Sequence, residues 1–165
     1  MDRIYLMRHG IAVPHGTPGI REEERSLTPE GEREIIKIAK GLNQLKVKPD
    51  RIVSSPLPRA KGTARIIAEV LGREDRLEVA DVLTSGSPPE LIKEWLSERP
   101  ERRIMIVGHN PDFSELLGLL LGLSENQICF ELEKGGIAAL KGDSRSRYTL
   151  HWLATPKLFR MMSNG

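Results

Sequence analysis

The sequence predicts an α/β domain on a mostly parallel sheet, and three observations predict it. Short apolar or β-branched runs alternate with amphipathic stretches of helical period along most of the chain. Several of these runs pass into a helix start through a short turn rich in Gly, Ser, His or Pro. The last two strand candidates instead follow one another across the polar turn Gly142-Asp143-Ser144-Arg145-Ser146-Arg147, a hairpin-like pattern that sets an antiparallel strand on the parallel sheet.

Arg3 to Met7 (RIYLM) is nearly continuous in apolar residues, as a buried strand requires. After a polar loop, Thr28 and Pro29 read as an N-cap and first helical residue, and Ile35, Ile38, Ala39, Leu42 and Leu45 recur at helical spacing. Arg51 to Val53 is a second strand. Ser54, Ser55 and Pro56 lead from it to a helix whose inner face is Leu57, Ala60, Ala64, Ile67 and Leu71, with Gly72 ending it. A third strand falls within Leu77 to Leu83, and Ser87-Pro88-Pro89-Glu90 reads as a capping box ahead of Leu91, Ile92, Trp95 and Leu96. Arg103 to Val107 (RIMIV) reads as an inner strand. It passes through Gly108, His109, Asn110 and Pro111 into a leucine-rich helix from Asp112 to Leu121, with Asn110 as its N-cap. Ile137 to Leu140 and Tyr148 to Leu153 close the sheet.

A chain of 165 residues is the size of one domain and long enough to bury a core without staples. Apolar residues at 39% and charged residues at 29% exclude a disordered tail. No stretch has the length of unbroken apolar residues that a membrane span needs, and the start MDRIYLMRHG lacks a secretory apolar region, so no membrane association and a cytoplasmic location are expected. The net charge of +2, with acids and bases interspersed, gives no footprint for nucleic acid. The single cysteine, Cys129, has no partner for a disulfide or a thiolate metal site and reads as buried apolar filler; no clustered carboxylates suggest a metal.

The placement of histidines and arginines carries the chemistry. In an open α/β sheet, ligands bind outside the carboxyl ends of the strands. Arg8 and His9 end the first strand, Arg59 lies in the first turn of the helix after the second, and His109 follows the inner strand, so segments distant in sequence converge on an anion site. A cation in a first helical turn opposes the macrodipole, and a bound phosphate removes that conflict by satisfying the guanidinium and the free N–H groups together. Each of these residues alone has a blander reading, as a solvated arginine or a structural histidine. His15 and His151 have no such setting and read as ordinary loop and strand residues.

Arg8-His9-Gly10, the stretch Ser55-Pro56-Leu57-Pro58-Arg59-Ala60 with Thr63-Ala64, and Gly108-His109-Asn110-Pro111 together resemble the histidine phosphatase (phosphoglycerate mutase-like) superfamily. Within it the chain is most similar to the short SixA-type phosphohistidine phosphatases, through Arg8-His9-Gly10-Ile11-Ala12, Arg25-Ser26-Leu27-Thr28-Pro29-Glu30-Gly31 and the ending Trp152-Leu153-Ala154-Thr155-Pro156-Lys157-Leu158. The resemblance covers almost the whole chain. It implies a single histidine phosphatase domain over residues 1–165 with a phosphoglycerate mutase-like three-layer α/β/α sandwich.

The resemblance further implies that His9 attacks phosphorus, that Arg8 and Arg59 bind the phosphoryl oxygens, and that His109 helps hold the transferring group. A histidine nucleophile must be neutral, and the cations Arg8 and Arg59 favour that form. Two guanidiniums, with a protonated His109 as third donor, can then stand in for a metal, so no cofactor is expected. Arg25 is a further phosphate-binding candidate because it precedes the helix start where SixA-like relatives carry an arginine. Glu22, within the acidic run before it, is the candidate general acid. The chain departs from the superfamily at Gly62, where a glutamine is common, and at Ile11, which supplies no acid beside Gly10.

Between Leu83 and Arg103 there is room for one short helix, so a shallow, open pocket is expected. Such a pocket suits a phosphorylated side chain presented by another protein, phosphohistidine foremost. A small-molecule phosphomonoester phosphatase or mutase is the alternative, and a non-catalytic phosphate-binding module is the alternative of another class.

Overall fold

The structure, a computed structural model, describes residues 1–124, 127, 130–143 and 147–162. Cys129 and the centre of the predicted polar turn, residues 144–146, lie outside the described residues. Strands β1 (Arg3–Arg8), β2 (Arg51–Ser54), β3 (Leu77–Val79) and β4 (Arg103–Gly108) run parallel. β5 (Ile137–Gly142) runs antiparallel to both β1 and β6 (Tyr148–Ala154), giving the order β3-β2-β4-β1-β5-β6.

The strands are apolar throughout because both faces are covered. Successive side chains of a strand point to opposite faces, and β1 divides accordingly. Tyr5 and Met7 join the core under α1 (Pro29–Gln44), α2 (Pro58–Leu71) and α5 (Pro156–Met162). Ile4 and Leu6 join the core under α3 (Pro89–Ser97) and α4 (Asp112–Leu121). The result is the expected three-layer α/β/α sandwich. No helix among the described residues is long and apolar enough to cross a membrane.

Thr28 caps α1 as predicted, its hydroxyl accepting from the Gly31 N–H at 3.0 Å, and Gly72 closes α2 in the left-handed region at φ 61°. Other boundaries differ. Leu45 is the C-cap of α1 and is 48% exposed, and Leu57 is the N-cap of α2 rather than part of its inner face. The Leu77 to Leu83 segment splits into β3 and a 3₁₀ turn, Asp81–Leu83. Ser87 makes no capping box: two prolines fix the backbone ahead of α3, so Pro88 is the N-cap and Pro89 opens the helix. Asn110 does not cap α4 either. Pro111 takes that position, while Asn110 Nδ2 donates to the Leu132 carbonyl at 3.1 Å. The sequence reading did not foresee α5; its seven residues are too few for a periodic signal, yet Phe159 is fully buried against α1.

Between β1 and α1 the chain makes a long excursion that is closed at its neck. Ala12 bridges Leu27, Val13 N–H donates to the Ser26 carbonyl at 2.9 Å, and Thr28 N–H donates to the Ile11 carbonyl at 3.0 Å. Gly31 sits against that neck so tightly that a Cβ there would lie 2.1 Å from the Ile11 carbonyl oxygen. Backbone cannot yield as a side chain does. Gly31→Ala is therefore expected to destabilise the fold by about 1–3 kcal/mol, and Thr28→Ala, which removes only the cap, by about 1 kcal/mol. Urea unfolding of the two variants checks both values and their order.

Candidate active site

The carboxyl ends of β1 and β4 lie side by side, with Arg8 paired in register to Gly108. His9 N–H donates to the Gly108 carbonyl at 3.0 Å, and Gly10 N–H donates to Thr63 Oγ1 at 3.0 Å. The Thr63 hydroxyl in turn donates to the Arg59 carbonyl at 2.8 Å, so the first turn of α2 is tied to the end of β1. Gly10 is required by close approach rather than by an unusual turn: a Cβ would lie 2.8 Å from Ile35 Cγ1.

His9 is 6% exposed, and its Nδ1 lies 2.7 Å from the Gly10 carbonyl oxygen. A carbonyl can only accept, so Nδ1 carries the proton and Nε2 keeps its lone pair. The His109 ring stands 5.2 Å from that of His9, centroid to centroid. Its Nε2 is 2.8 Å from Ser55 Oγ, which already accepts the Leu57 N–H at 3.3 Å. The serine hydroxyl can donate to that nitrogen or accept from it, according to the tautomer of the ring.

Arg59 is only 3% exposed. Its Nη1 donates to the Glu22 carbonyl at 3.0 Å, and its Nη2 lies 3.3 Å from Glu22 Oε1. Arg25 holds the same carboxylate with two donors, Nε at 2.8 Å and Nη2 at 2.5 Å, while its Nη1 donates to the Val13 carbonyl at 2.7 Å. Arg8 Nη1 donates to the Leu132 carbonyl at 2.8 Å and to Glu131 Oε1 at 3.2 Å. The structure therefore brings together all six predicted residues: Arg8, His9, Glu22, Arg25, Arg59 and His109. Among the described residues, four buried side-chain polar atoms lack a protein partner: Arg8 Nε, Arg59 Nε, His109 Nδ1 and Asn110 Oδ1. Three of them are nitrogens of the predicted anion site. A buried polar atom without a partner is costly, and two of these three, Arg8 Nε and Arg59 Nε, are guanidinium donors suited to an oxyanion.

Electrostatics revise two expectations. Burial, first, and then the cations Arg59, Arg8 and Arg25 lower His9 to about 4, against the stabilising hydrogen bond to Gly10. His9 is neutral as expected, but burial outweighs the arginines as the cause. His109 is lowered to about 3 by burial, with His9, Arg59 and Arg8 adding to it. The protonated His109 expected as a third donor is therefore an uncharged imidazole in this fold. Glu22 is held down to about 2, first by its bonds from Arg25 and His15, so this carboxylate carries no proton to give.

Several contributors carry no signal in the sequence pattern. Ser55 and Thr63 lie in the segment quoted for the resemblance but orient His109 and the β1 turn through hydroxyls that pattern does not reveal. His15, read as an ordinary loop residue, places Nδ1 2.6 Å from Glu22 Oε2. His151 does lie apart, accepting from Arg3 Nη1 at 2.9 Å. Gly62 leaves space that Leu27 fills, a Cβ there meeting Leu27 Cδ1 at 3.2 Å. The expected shallow pocket has a deep floor, because the 11–28 excursion brings Glu22 and Arg25 over it. Among the described residues no group of three or more His, Cys, Asp or Glu side chains is placed to hold a metal ion.

Both histidines are uncharged in the fold but protonate at about 6.5 when unfolded, so below that pH the unfolded chain binds more protons and gains on the native state. Stability is expected to fall as pH drops from 6.5 through about 4 for His9 and about 3 for His109. The Glu22 contribution is lost lower, between 4.5 and about 2. Thermal unfolding across this range, with His9→Asn and His109→Asn each flattening the slope above pH 4, checks the assignment.

Residues 4–83 match the family model of the histidine phosphatase superfamily, branch 1. An uncharacterised protein of Picosynechococcus sp. is 30% identical over 142 residues, covering 84% of each chain. SixA of Agrobacterium tumefaciens superposes with a TM-score of 0.81 at 24% identity, covering 94% of this chain and 98% of its own. The protein histidine phosphatase SixA complexed with tungstate gives 0.82 at 23% with the same coverage. A mycobacterial glucosyl-3-phosphoglycerate phosphatase gives 0.72 at 20%, covering 93% and 99%. The fold is thus shared with SixA, and the chain belongs to the histidine phosphatase superfamily.

Proposed function

We propose that the protein is a metal-independent phosphatase in which His9 Nε2 takes a phosphoryl group and water then removes it. The observation that carries this reading is the trio of buried, unpartnered nitrogens, Arg8 Nε, Arg59 Nε and His109 Nδ1, beside a neutral His9. Phosphoryl transfer passes through a loose transition state whose charge is spread over three equatorial oxygens, so catalysis rests on donors fixed in advance. Arg25 joins them by exchanging part of its grip on Glu22 for the phosphoryl group. That SixA, on the same fold, forms a complex with tungstate, a tetrahedral oxyanion, supports an oxyanion as the kind of ligand bound.

The preferred substrate in this reading is phosphohistidine on another protein. The β3–β4 crossover consists of a 3₁₀ turn and one nine-residue helix, and the Glu22 side chain at the mouth is 45% exposed, so a side chain presented from outside can approach. A small phosphate ester is the second reading, favoured by the likeness to the glucosyl-3-phosphoglycerate phosphatase.

The test is phosphate release from a phosphohistidine-bearing protein and from p-nitrophenyl phosphate in the presence of a chelator. Wild type is expected to turn over the first faster, and His9→Ala to lose on the order of 10⁴-fold or more. Arg59→Ala is expected to lose about 10²–10³-fold, and lysine at that position is not expected to restore the forked contact. Tight phosphate binding with no turnover on either substrate would instead make the chain a binding module.

A further inference from the structure

We propose that His15 is the proton donor to the leaving group, with Glu22 as its positioning residue, an inference that rests on the phosphatase reading above. In an in-line transfer the leaving atom departs on the side of phosphorus opposite the nucleophile. His9 lies in the buried floor, so that side is the mouth of the site, beneath the 11–28 excursion. His15 reaches this side through Glu22, and its side chain is 82% exposed, whereas that of Arg59 is 3% exposed. A continuous chain of contacts ties it to the phosphoryl site. His15 Nδ1 meets Glu22 Oε2 at 2.6 Å, and Glu22 Oε1 meets Arg59 Nη2 at 3.3 Å and Arg25 Nη2 at 2.5 Å.

The two members of this dyad divide the work. The Glu22 carboxylate accepts three guanidinium contacts and stays ionised, which disqualifies it as the acid but suits it to hold an imidazolium by Nδ1–H. The second ring nitrogen of His15, Nε2, then points its own N–H away from Glu22. An imidazole can donate a proton from one ring nitrogen while the other is held, as a proton carrier requires.

The step balances without any further reactant. The His9 Nε2 lone pair forms the N–P bond as the bond from phosphorus to the leaving oxygen or nitrogen breaks. The departing electron pair takes the proton from His15 Nε2. In the second half, neutral His15 accepts a proton from water as the water oxygen attacks phosphorus, and the N–P electron pair returns to His9. His15 is again protonated, and the phosphate leaves.

The experiment compares kcat/KM for phenyl phosphate and 2,4-dinitrophenyl phosphate in wild type, His15→Ala, His15→Gln and Glu22→Gln, since kcat/KM reports departure of the leaving group. Phenolate needs a proton to leave well and dinitrophenolate does not. The His15 variants are expected to lose about 10²-fold on phenyl phosphate, with the loss shrinking towards none on the dinitrophenyl ester, whereas Glu22→Gln, which also loosens Arg25 and Arg59, is expected to lose on both esters and more on phenyl phosphate. His15 is exposed, so its variants should unfold at the wild-type temperature. Equal losses on both esters, or no loss on either, overturn the role of His15 while leaving the phosphatase reading intact. A wild type that turns over neither ester and forms no phosphoenzyme overturns both.

Discussion

The hydrogen bond from His9 Nδ1 to the Gly10 carbonyl is the constraint on which the site depends. It fixes the tautomer, turns Nε2 outward with its lone pair, and holds the ring at the carboxyl end of β1. The bond by itself favours the protonated imidazole, and burial beside three arginines reverses that preference. A neutral imidazole with its Nε2 lone pair free is obtained because the fold can hold these opposing demands together. The turn after β1 is anchored to β4 through Gly108 and to α2 through Thr63, so the imidazole has little freedom to escape them.

Gathering Arg8, Arg25 and Arg59 around one imidazole is unfavourable for the empty fold, and the molecule offsets it with anionic and carbonyl partners. Glu22 serves Arg25 and Arg59, Glu131 and the Leu132 carbonyl serve Arg8, and the Val13 carbonyl serves Arg25. The offset is incomplete at Arg8 Nε, Arg59 Nε and His109 Nδ1. Such residual dissatisfaction is common where a protein keeps stability in reserve for a ligand. The closed neck of the 11–28 excursion makes Glu22 available to this network, because Ile11 and Thr28 bring both ends of the loop back to the start of α1.

Most of the framework was legible in the sequence. β1 and β4 are covered on both faces and so read as unbroken apolar runs, and α1 carries both a cap and a full stripe. The convergence of Arg8, His9, Arg59 and His109 follows from their positions at strand ends and a helix start. Features set by tertiary contact were not legible. Asn110 looks like a cap but turns to Leu132, and α5 is fixed by Phe159 packing on α1. The charge of His109 depends on how deeply it is buried, which spacing does not encode. His15 was invisible for a related reason: only the folded loop sets it against Glu22, seven residues away.

The proposed chemistry requires His9 to stand neutral, protonated on Nδ1, at the pH of turnover. Nitrogen-15 NMR of the histidine rings tests it most directly. His9 is expected to show the Nδ1–H tautomer and to titrate only near about 4. A His9 ring that titrates near its ordinary 6.5, or that carries its proton on Nε2, would contradict it.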